Sequence, residues 1–477
     1  MNAVWMSLRS AYWSMGSRGV YVAGPGAQRS TAHLDQATHG SRRPRGARYN
    51  EARRTSTRPP TAHAGLAGLA ASRILAAADQ PARRGCATVS AMFQATRDKV
   101  LPATITGSYP RPQWFTATLH GRAFKDALSD TVFREQYLDA VACLIREQER
   151  AGLDIVTDGD SRFDLTVGGK SWFYYPIERL GGITGHQDRA TAGGWTTLRP
   201  GHILYEVMEA YRPAIVGAKV SAGPLDYASL FKVAQRLTDR PVKFGAISAQ
   251  TLVKMLVNRH YASERELILD LADVFNVELK AVAAAGCQVI QVEEPRHHIS
   301  GADGSASDKD LQFFTDAINR EIRGVQTEVW LHTCWGNPNQ QPLHWERPSY
   351  ERALPYLLQT DADVITLECA STAGRDLPLL KHYRTDKKIA IGVVSHTVTA
   401  VEPPEIVAGL IRRALDYVPP ERLILSTDCG FGREGLARRI AFYKCVAINL
   451  GANIVRRELK LPEVPISAAD PRYSFAG

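Results

Sequence analysis

The chain has 477 residues, 44% hydrophobic and 22% charged, which is close to globular averages, and no apolar run approaches the ~18 residues of a membrane span. Its net charge of +9 does not point to nucleic acid: residues 1–91 hold 13 Arg, no Lys and three acidic groups, so the rest of the chain carries 45 basic and 46 acidic groups. Seven scattered cysteines, an odd number, exclude a secreted disulfide framework and suit a reducing, cytoplasmic setting.

Residues 1–91, rich in Arg, Ser, Gly, Ala and Pro, show no sustained hydrophobic periodicity and read as a disordered extension. Three explanations compete: a mitochondrial transit peptide, a functional tail, and a start codon placed too early. The arrival of Lys, Asp and Glu after Met92 favours the third, with residues 92–477 as one catalytic domain.

From residue 101, short β-branched runs alternate with amphipathic stretches. The runs are ATITGSYP (103–110), LDIVTDGD (153–160), AIVGAKVS (214–221), VKFGAIS (242–248), CQVIQVEEP (287–295), EVWLHTC (328–334), ADVITLE (362–368), KIAIGVVSH (388–396) and RLILSTDCG (422–430). Helical patterns such as SERELILDLADVFNVELKAVAAAG lie between most of them, so the sheet is parallel with both faces covered. The pattern predicts an α/β fold, a (β/α)8 TIM barrel with an insertion after the second strand. A doubly wound open sheet is the alternative, disfavoured because polar groups end nearly every strand. Nine runs are one too many, and AIVGAKVS is assigned to the insertion 161–240, as part of a hairpin.

In a barrel the strand C-termini meet at one mouth, so strand ends enumerate the candidate site. They are Ser108; Asp158 and Asp160; Glu293 and Glu294; His332 and Cys334; Glu368 and Cys369; His396; Asp428 and Cys429. His332 and Cys334, two apart on a strand, share a face. With Cys429 and a carboxylate they form a donor set suited to Zn²⁺, and His332, Cys334, Glu368 and Cys429 are the expected ligands. Cys369 competes with Glu368, but adjacent strand residues face opposite ways. The plain alternative is that each cysteine packs as a small buried hydrophobe, as expected for Cys143, Cys287 and Cys445. Two thiolates and a carboxylate make zinc a poor activator of water but suit capture of a small-molecule thiol as thiolate. Asp158 and Asp160 share one face, whereas Glu293 and Glu294 lie on opposite faces, so one of the two glutamates lines the mouth. Carboxylates there can hold a substrate ammonium or share a proton. The alternative for Asp158 and Glu294 is to cap helices or pair with Arg162 or Arg296. GGKSWFYYP (168–176) lacks full phosphate-loop spacing and is set aside.

These segments resemble the catalytic C-terminal half of cobalamin-independent methionine synthases. DADVITLE (361–368), DCG (428–430) and His332-x-Cys334 look like that family's zinc segments. VIQVEEP (289–295) is similar to its acidic strand that grips the homocysteine amino group. TGSYP (106–110), with Gly107 and Ser108, looks like the segment holding the amino-acid carboxylate, and GVVSH (392–396) like the strand carrying the proton-donor histidine, here His396. The resemblance spans roughly residues 101–455. It implies a barrel, a zinc ion, and transfer of an alkyl group from an alkyl donor to a thiol. Glu293 favours a thiol with an ammonium group, so homocysteine is the expected acceptor and methyl the expected group transferred. Asp160 stands where the family has Glu, SAQT (248–251) replaces a Thr-Gly-Pro segment, and Glu209-Ala210 precede Arg212-Pro213 where the family places Arg-Cys. That weaker donor end also suits enzymes resembling epoxyalkane:coenzyme M transferase, although Glu293 would repel a sulfonate. A non-catalytic zinc- or thiol-binding barrel is the reading from a different class.

Overall fold

A computed structural model of the protein describes residues 93–119, 121–162, 171–187, 212–336, 349–432, 436–473 and 475. The chain divides into two compact units, residues 83–470 and residues 1–82 with 471–477. Of the second unit, the described part is the 3-10 turn Pro471–Tyr473 and residue 475. The expectation of disorder over 1–91 lies outside the described residues.

The larger unit is built on seven parallel strands. Their spatial order is β1 (Val156–Thr157), β4 (Val242–Ile247), β6 (Val289–Glu293), β7 (Glu328–Thr333), β8 (Val364–Leu367), β9 (Lys388–Val394) and β10 (Leu423–Thr427). Parallel neighbours need long crossovers, and helices such as Glu264–Ala284, Asp308–Ile322 and Pro404–Leu415 supply them. Each of these helices buries one stripe, as Leu311, Phe314, Ile318 and Ile322 do in Asp308–Ile322, whose start is fixed by a Ser307–Asp310 capping box. Covered on both faces, β4, β7, β8, β9 and β10 are buried at every residue, which is why they read as largely apolar runs rather than alternating ones.

The sheet curls until both its edges meet one extended segment. Thr104 N–H donates to Leu425 O of β10 (2.9 Å), and Leu425 N–H donates back to Pro102 O (2.9 Å). On the other side Asp154 N–H donates to Ala103 O (2.8 Å) and Thr157 Oγ1 of β1 to Gly107 O (2.7 Å). The predicted strand ATITGSYP is thus not a regular strand but a single bridge at Ala103. Pro102 cannot donate, and at Thr106 side-chain bonds replace the ladder: Thr106 N–H donates to Thr427 Oγ1, and Thr106 Oγ1 donates to Thr427 O (both 3.0 Å).

The ninth run, AIVGAKVS, forms β3 (Ala214–Ser221) outside the main sheet. It pairs antiparallel with β2 (Gly181–His186) and parallel with β5 (Leu256–Asn258). The sequence reading passes over β2 because GGITGH is half glycine, and over β5 because it is three residues long. Most of the linking stretch, 163–170 and 188–211, lies outside the described residues.

Residues 93–96 close the end opposite the strand C-termini. Phe93 and Ala95 pack with Ile155, Val289, Trp330, Val364, Ala390 and Ile424. Glu328, buried there, accepts from Gln94 N–H (2.9 Å), Thr96 N–H (3.1 Å), Thr96 Oγ1 (2.8 Å) and Trp330 Nε1–H (2.8 Å). Lys388 lies over the Phe93 ring and donates to Thr96 O. Among the described residues no helix is long and apolar enough to cross a membrane. Replacing the Glu328 carboxylate strands four donors, so Glu328→Ala should lower stability by about 3 kcal/mol, read from urea unfolding against the parent chain.

Candidate metal centre and amino-acid pocket

Strand alternation turns His332 inward from β7, and its ring is fixed by neighbours in β8. Nδ1 contacts Thr366 Oγ1 at 2.9 Å, and the same oxygen accepts Thr333 N–H at 3.1 Å. A proton on Nδ1 leaves the Nε2 lone pair facing inward. Cys334, two residues on, points the same way, and its Sγ lies 3.1 Å from Cys429 Sγ. The donor atoms of His332, Cys334 and Cys429 all lie within 4.8 Å of one another, and all three residues are buried. A buried, inward-facing imidazole nitrogen beside two facing thiols is a donor set that fits zinc. Burial pulls the His332 pKa down, but neighbouring Glu293 and Cys429 outweigh it and the net shift is upward.

The strand end is held by side chains beyond these three. Tyr350 Oη donates to Thr333 O (3.0 Å) and accepts Glu368 N–H (3.1 Å). His298 Nε2 meets Cys334 O at 2.9 Å, with its ring stacked on Tyr350 and edge-on to Trp335.

Glu368, the expected fourth ligand, is placed by the structure with His396 and Asp428, in a second group of donors within 4.8 Å. Its carboxylate accepts from Trp335 N–H (2.8 Å) and Ser371 Oγ (2.6 Å). Burial first, then Asp428, raise its pKa, and Cys429 adds to the rise, so the two groups adjoin electrostatically. Asp428 accepts three backbone N–H groups, from Cys369 (2.9 Å), Ala370 (2.8 Å) and Ser371 (2.6 Å), and so pins the turn after β8. A register shift at Ser426/Thr427 re-aims the Asp428–Cys429 segment. Gly392 makes room for it, since a Cβ there would lie 2.0 Å from Asp428 Oδ1. Cys369 belongs to the apolar core.

Of the four expected substrate contacts, Gly107, Asp160 and Glu293 come together, and Ser108 is held at the loop after β10. A Cβ on Gly107 would lie 3.0 Å from Asp160 Oδ2, and one on Gly245 would lie 3.2 Å from Asp160 Oδ1 and 3.8 Å from Glu293 Oε1. Glu293 Oε2 is 3.7 Å from His332 Nε2, so this pocket abuts the thiols. Ser108 is bound to the loop after β10: its carbonyl accepts Phe431 N–H (2.8 Å), and its Oγ accepts Gly432 N–H (3.2 Å). Asp160 sits at φ 50, a conformation Asp and Asn tolerate, with Asp158 Oδ1 accepting its N–H. Burial raises the Asp160 carboxyl to about 7; Arg162 opposes this, while Asp158 and Glu293 add to it.

Glu294 turns away from the mouth. It caps helix Pro295–Ala302, accepting His297 N–H (2.8 Å), and also accepts from Ser248 Oγ and Thr251 Oγ1. SAQT is thus tied to this cap. Lys243, Gln291 and Thr366 escape a strand-end reading because they lie inside strands. The available signals are a lone charge within VKFGAIS and the position of Gln291 two residues before Glu293, on the same face.

A curled parallel sheet that gathers an imidazole, thiols and carboxylates at its strand C-termini belongs to the class of α/β enzymes with the active site at the strand mouth. The model of the family described as "Cobalamin-independent synthase, Catalytic domain" matches residues 101–444, and the chain belongs to that family. It is 29% identical to the methionine synthase of Saccharolobus solfataricus over 362 residues, 76% of this chain and 96% of that one. It is 30% identical to that of Sulfurisphaera tokodaii over 362 residues, covering 76% and 94%. Among solved structures, a B12-independent methionine synthase from Shewanella sp. W3-18-1 in complex with selenomethionine superposes with a TM-score of 0.62, at 26% identity, over 76% of this chain and 99% of that chain.

Because the Asp160 pKa is raised in the fold, its effect on stability is lost as pH rises from the ordinary carboxylate range, near ~4, through about 7. Asp160→Asn, which keeps the φ-tolerant side chain, should therefore stabilise the substrate-free protein by roughly 2 kcal/mol more at pH 8 than at pH 5. Thermal unfolding at the two pH values measures this; equal gains would show that Asp160 is ionised throughout.

Proposed function

We propose that the protein is a zinc-dependent thiol S-methyltransferase that converts homocysteine to methionine. The observation that carries this is the inward-facing His332 Nε2 beside the paired sulfurs of Cys334 and Cys429, directly against the Asp160–Glu293 pocket. Methionine synthase relatives and a selenomethionine-bound neighbour support it. The fold is read as a complete (β/α)8 barrel with residues 103–107 as the eighth strand and β2, β3 and β5 as an insertion, on the strength of bonds from 103–107 to both sheet edges.

His332, Cys334 and Cys429 would hold zinc, with Glu368, from the adjoining group, as an oxygen donor to it. When bound, the ion supplies acidification of an incoming thiol, whose pKa is otherwise near ~8.5, so that the sulfur is nucleophilic at neutral pH. Thr366 keeps the His332 lone pair directed inward. Asp160 and Glu293 take the substrate ammonium, and Gly107 and Ser108 face its carboxylate. As the sulfur–methyl bond forms, the bond from that carbon to the donor's leaving atom breaks. The leaving atom takes the electron pair and a proton from His396. Two carboxylates at the amino-acid end disfavour a sulfonate thiol such as coenzyme M.

We read residues 1–91 as dispensable: a chain beginning at Met92 should fold, bind zinc and turn over like the full chain, and loss of activity in that chain would refute this. We also place the protein in the cytoplasm, a reducing setting for its cysteines.

The Cys334→Ser, Cys429→Ser double variant should keep its circular dichroism spectrum while losing bound zinc and nearly all activity. Glu368→Gln should retain more metal, since an amide oxygen is a weaker but workable ligand. Full zinc occupancy in the folded double variant would sink the site. Turnover of homocysteine with a panel of methyl donors, beside coenzyme M with an epoxide, tests the substrate. Product only from coenzyme M would select the alkyltransferase alternative, and thiol binding with no product from any pair the non-catalytic one.

A further inference from the structure

We infer that Lys243 is a positioning residue for the amino-acid end of the substrate, acting through Gln291 on both the ammonium-binding Glu293 and the segment that faces the carboxylate. Lys243 is 1% exposed, inside β4, with its Nζ over the Trp330 ring at 4.5 Å. Nζ donates to Gln291 Oε1 at 2.7 Å. With its oxygen committed to Lys243, the Gln291 amide presents its two N–H groups to the opposite side. One goes to Glu293 Oε1 and the other, at 2.8 Å, to Thr106 O.

These two acceptors belong to the two halves of the proposed pocket. Glu293 is the more accessible partner of the His332 contact, its side chain 12% exposed against 2%. With Oε1 occupied by Gln291, the other oxygen, Oε2, is the one turned toward His332 and the mouth. Thr106 immediately precedes Gly107 and Ser108, and its carbonyl is drawn inward by the same amide. Gln291 therefore sets the spacing between the ammonium and carboxylate contacts, and Lys243 supplies the donor that satisfies the other end of the amide. Without it Gln291 Oε1 is a buried acceptor with no partner, and the amide loses its reason to hold one orientation. Burial pulls the Lys243 ammonium down to about 7, against Glu293 and Asp160; charged or neutral, the nitrogen can still donate to Gln291. None of these bonds ends on His332, Cys334 or Cys429, so their loss should show first as lost recognition of the amino acid.

The inference rests on the reading of Glu293 as the ammonium acceptor, and the experiment separates the two. Calorimetry on the zinc-loaded full chain compares L-methionine with its des-amino analogue, 4-(methylthio)butyrate, so no methyl donor is needed. The unaltered protein should prefer methionine by about tenfold or more, the range of a charge-assisted hydrogen bond. Lys243→Met should shrink that preference to roughly threefold or less, weakening methionine most and the analogue, which keeps only the carboxylate contact, less, while leaving zinc content unchanged. Gln291→Leu should do the same, and the double variant should lose no more than either single one, as for residues acting in series. If Lys243→Met does not fold, Gln291→Leu and its effect on the preference decide the matter. An undiminished preference in the folded variants, or equal weakening of both ligands, would overturn the inference. No preference in the unaltered protein would instead show that Glu293 does not take the ammonium, and the inference would fall with that reading.

Discussion

The hydrogen bonds of residues 103–107 to β10 on one side and to the β1 edge on the other are the constraint on which the site depends. They bring together two strands, β1 and β10, that are far apart in sequence and stand at opposite edges of the sheet. One consequence is that Gly107 lies against Asp160, while Ser108 lies against the loop that carries Cys429. A flat sheet with the same strand order would leave these elements at opposite margins. The seven-strand ladder alone would still bring His332 next to Glu293, because β6 and β7 are neighbours, but not next to Cys429, three strands away.

Burial sets the electrostatics of the mouth. Carboxylates at Asp160, Glu293, Glu368 and Asp428 are all pushed upward, burial being the largest cause in each, and two thiols stand among them. Lys243, Arg162 and Lys444 are buried cations nearby; Arg162 is engaged with Asp160 and the Phe244 ring while donating to Gly245 O, and Lys444 is paired with Glu402. Such a cluster is unfavourable unless further positive charge arrives. A divalent ion at the sulfurs and an ammonium at the carboxylates would supply it at two adjacent points, which is why the metal reading and the amino-acid reading support each other.

Several polar residues near the mouth serve the frame. Glu294 caps a helix, Asp428 pins a turn, and Tyr350 and His298 hold the backbone at Thr333 and Cys334. Strand-end position alone does not separate such residues from those that face substrate. Glu293 and Glu294 are adjacent, equally acidic and both at the end of β6, yet alternation sends one to the mouth and the other into the helix layer.

What the sequence by itself determined is local and periodic. The apolar runs of β6 to β10 reflect strands covered on both faces, and the two-residue spacing of His332 and Cys334 follows from the pleat, so both were legible in the order of residues. Only the tertiary structure decided what distant segments do to one another. It replaced the ladder of ATITGSYP with the Thr106–Thr427 side-chain bonds, it placed Glu368 with His396 and Asp428, and it linked Lys243 through Gln291 to Glu293 and Thr106. The physical reason is that periodicity records which face of an element is buried, whereas hydrogen-bond partners and charge neighbours depend on the curl of the sheet, the register shift in β10 and the clearance left by Gly392, which no single segment encodes.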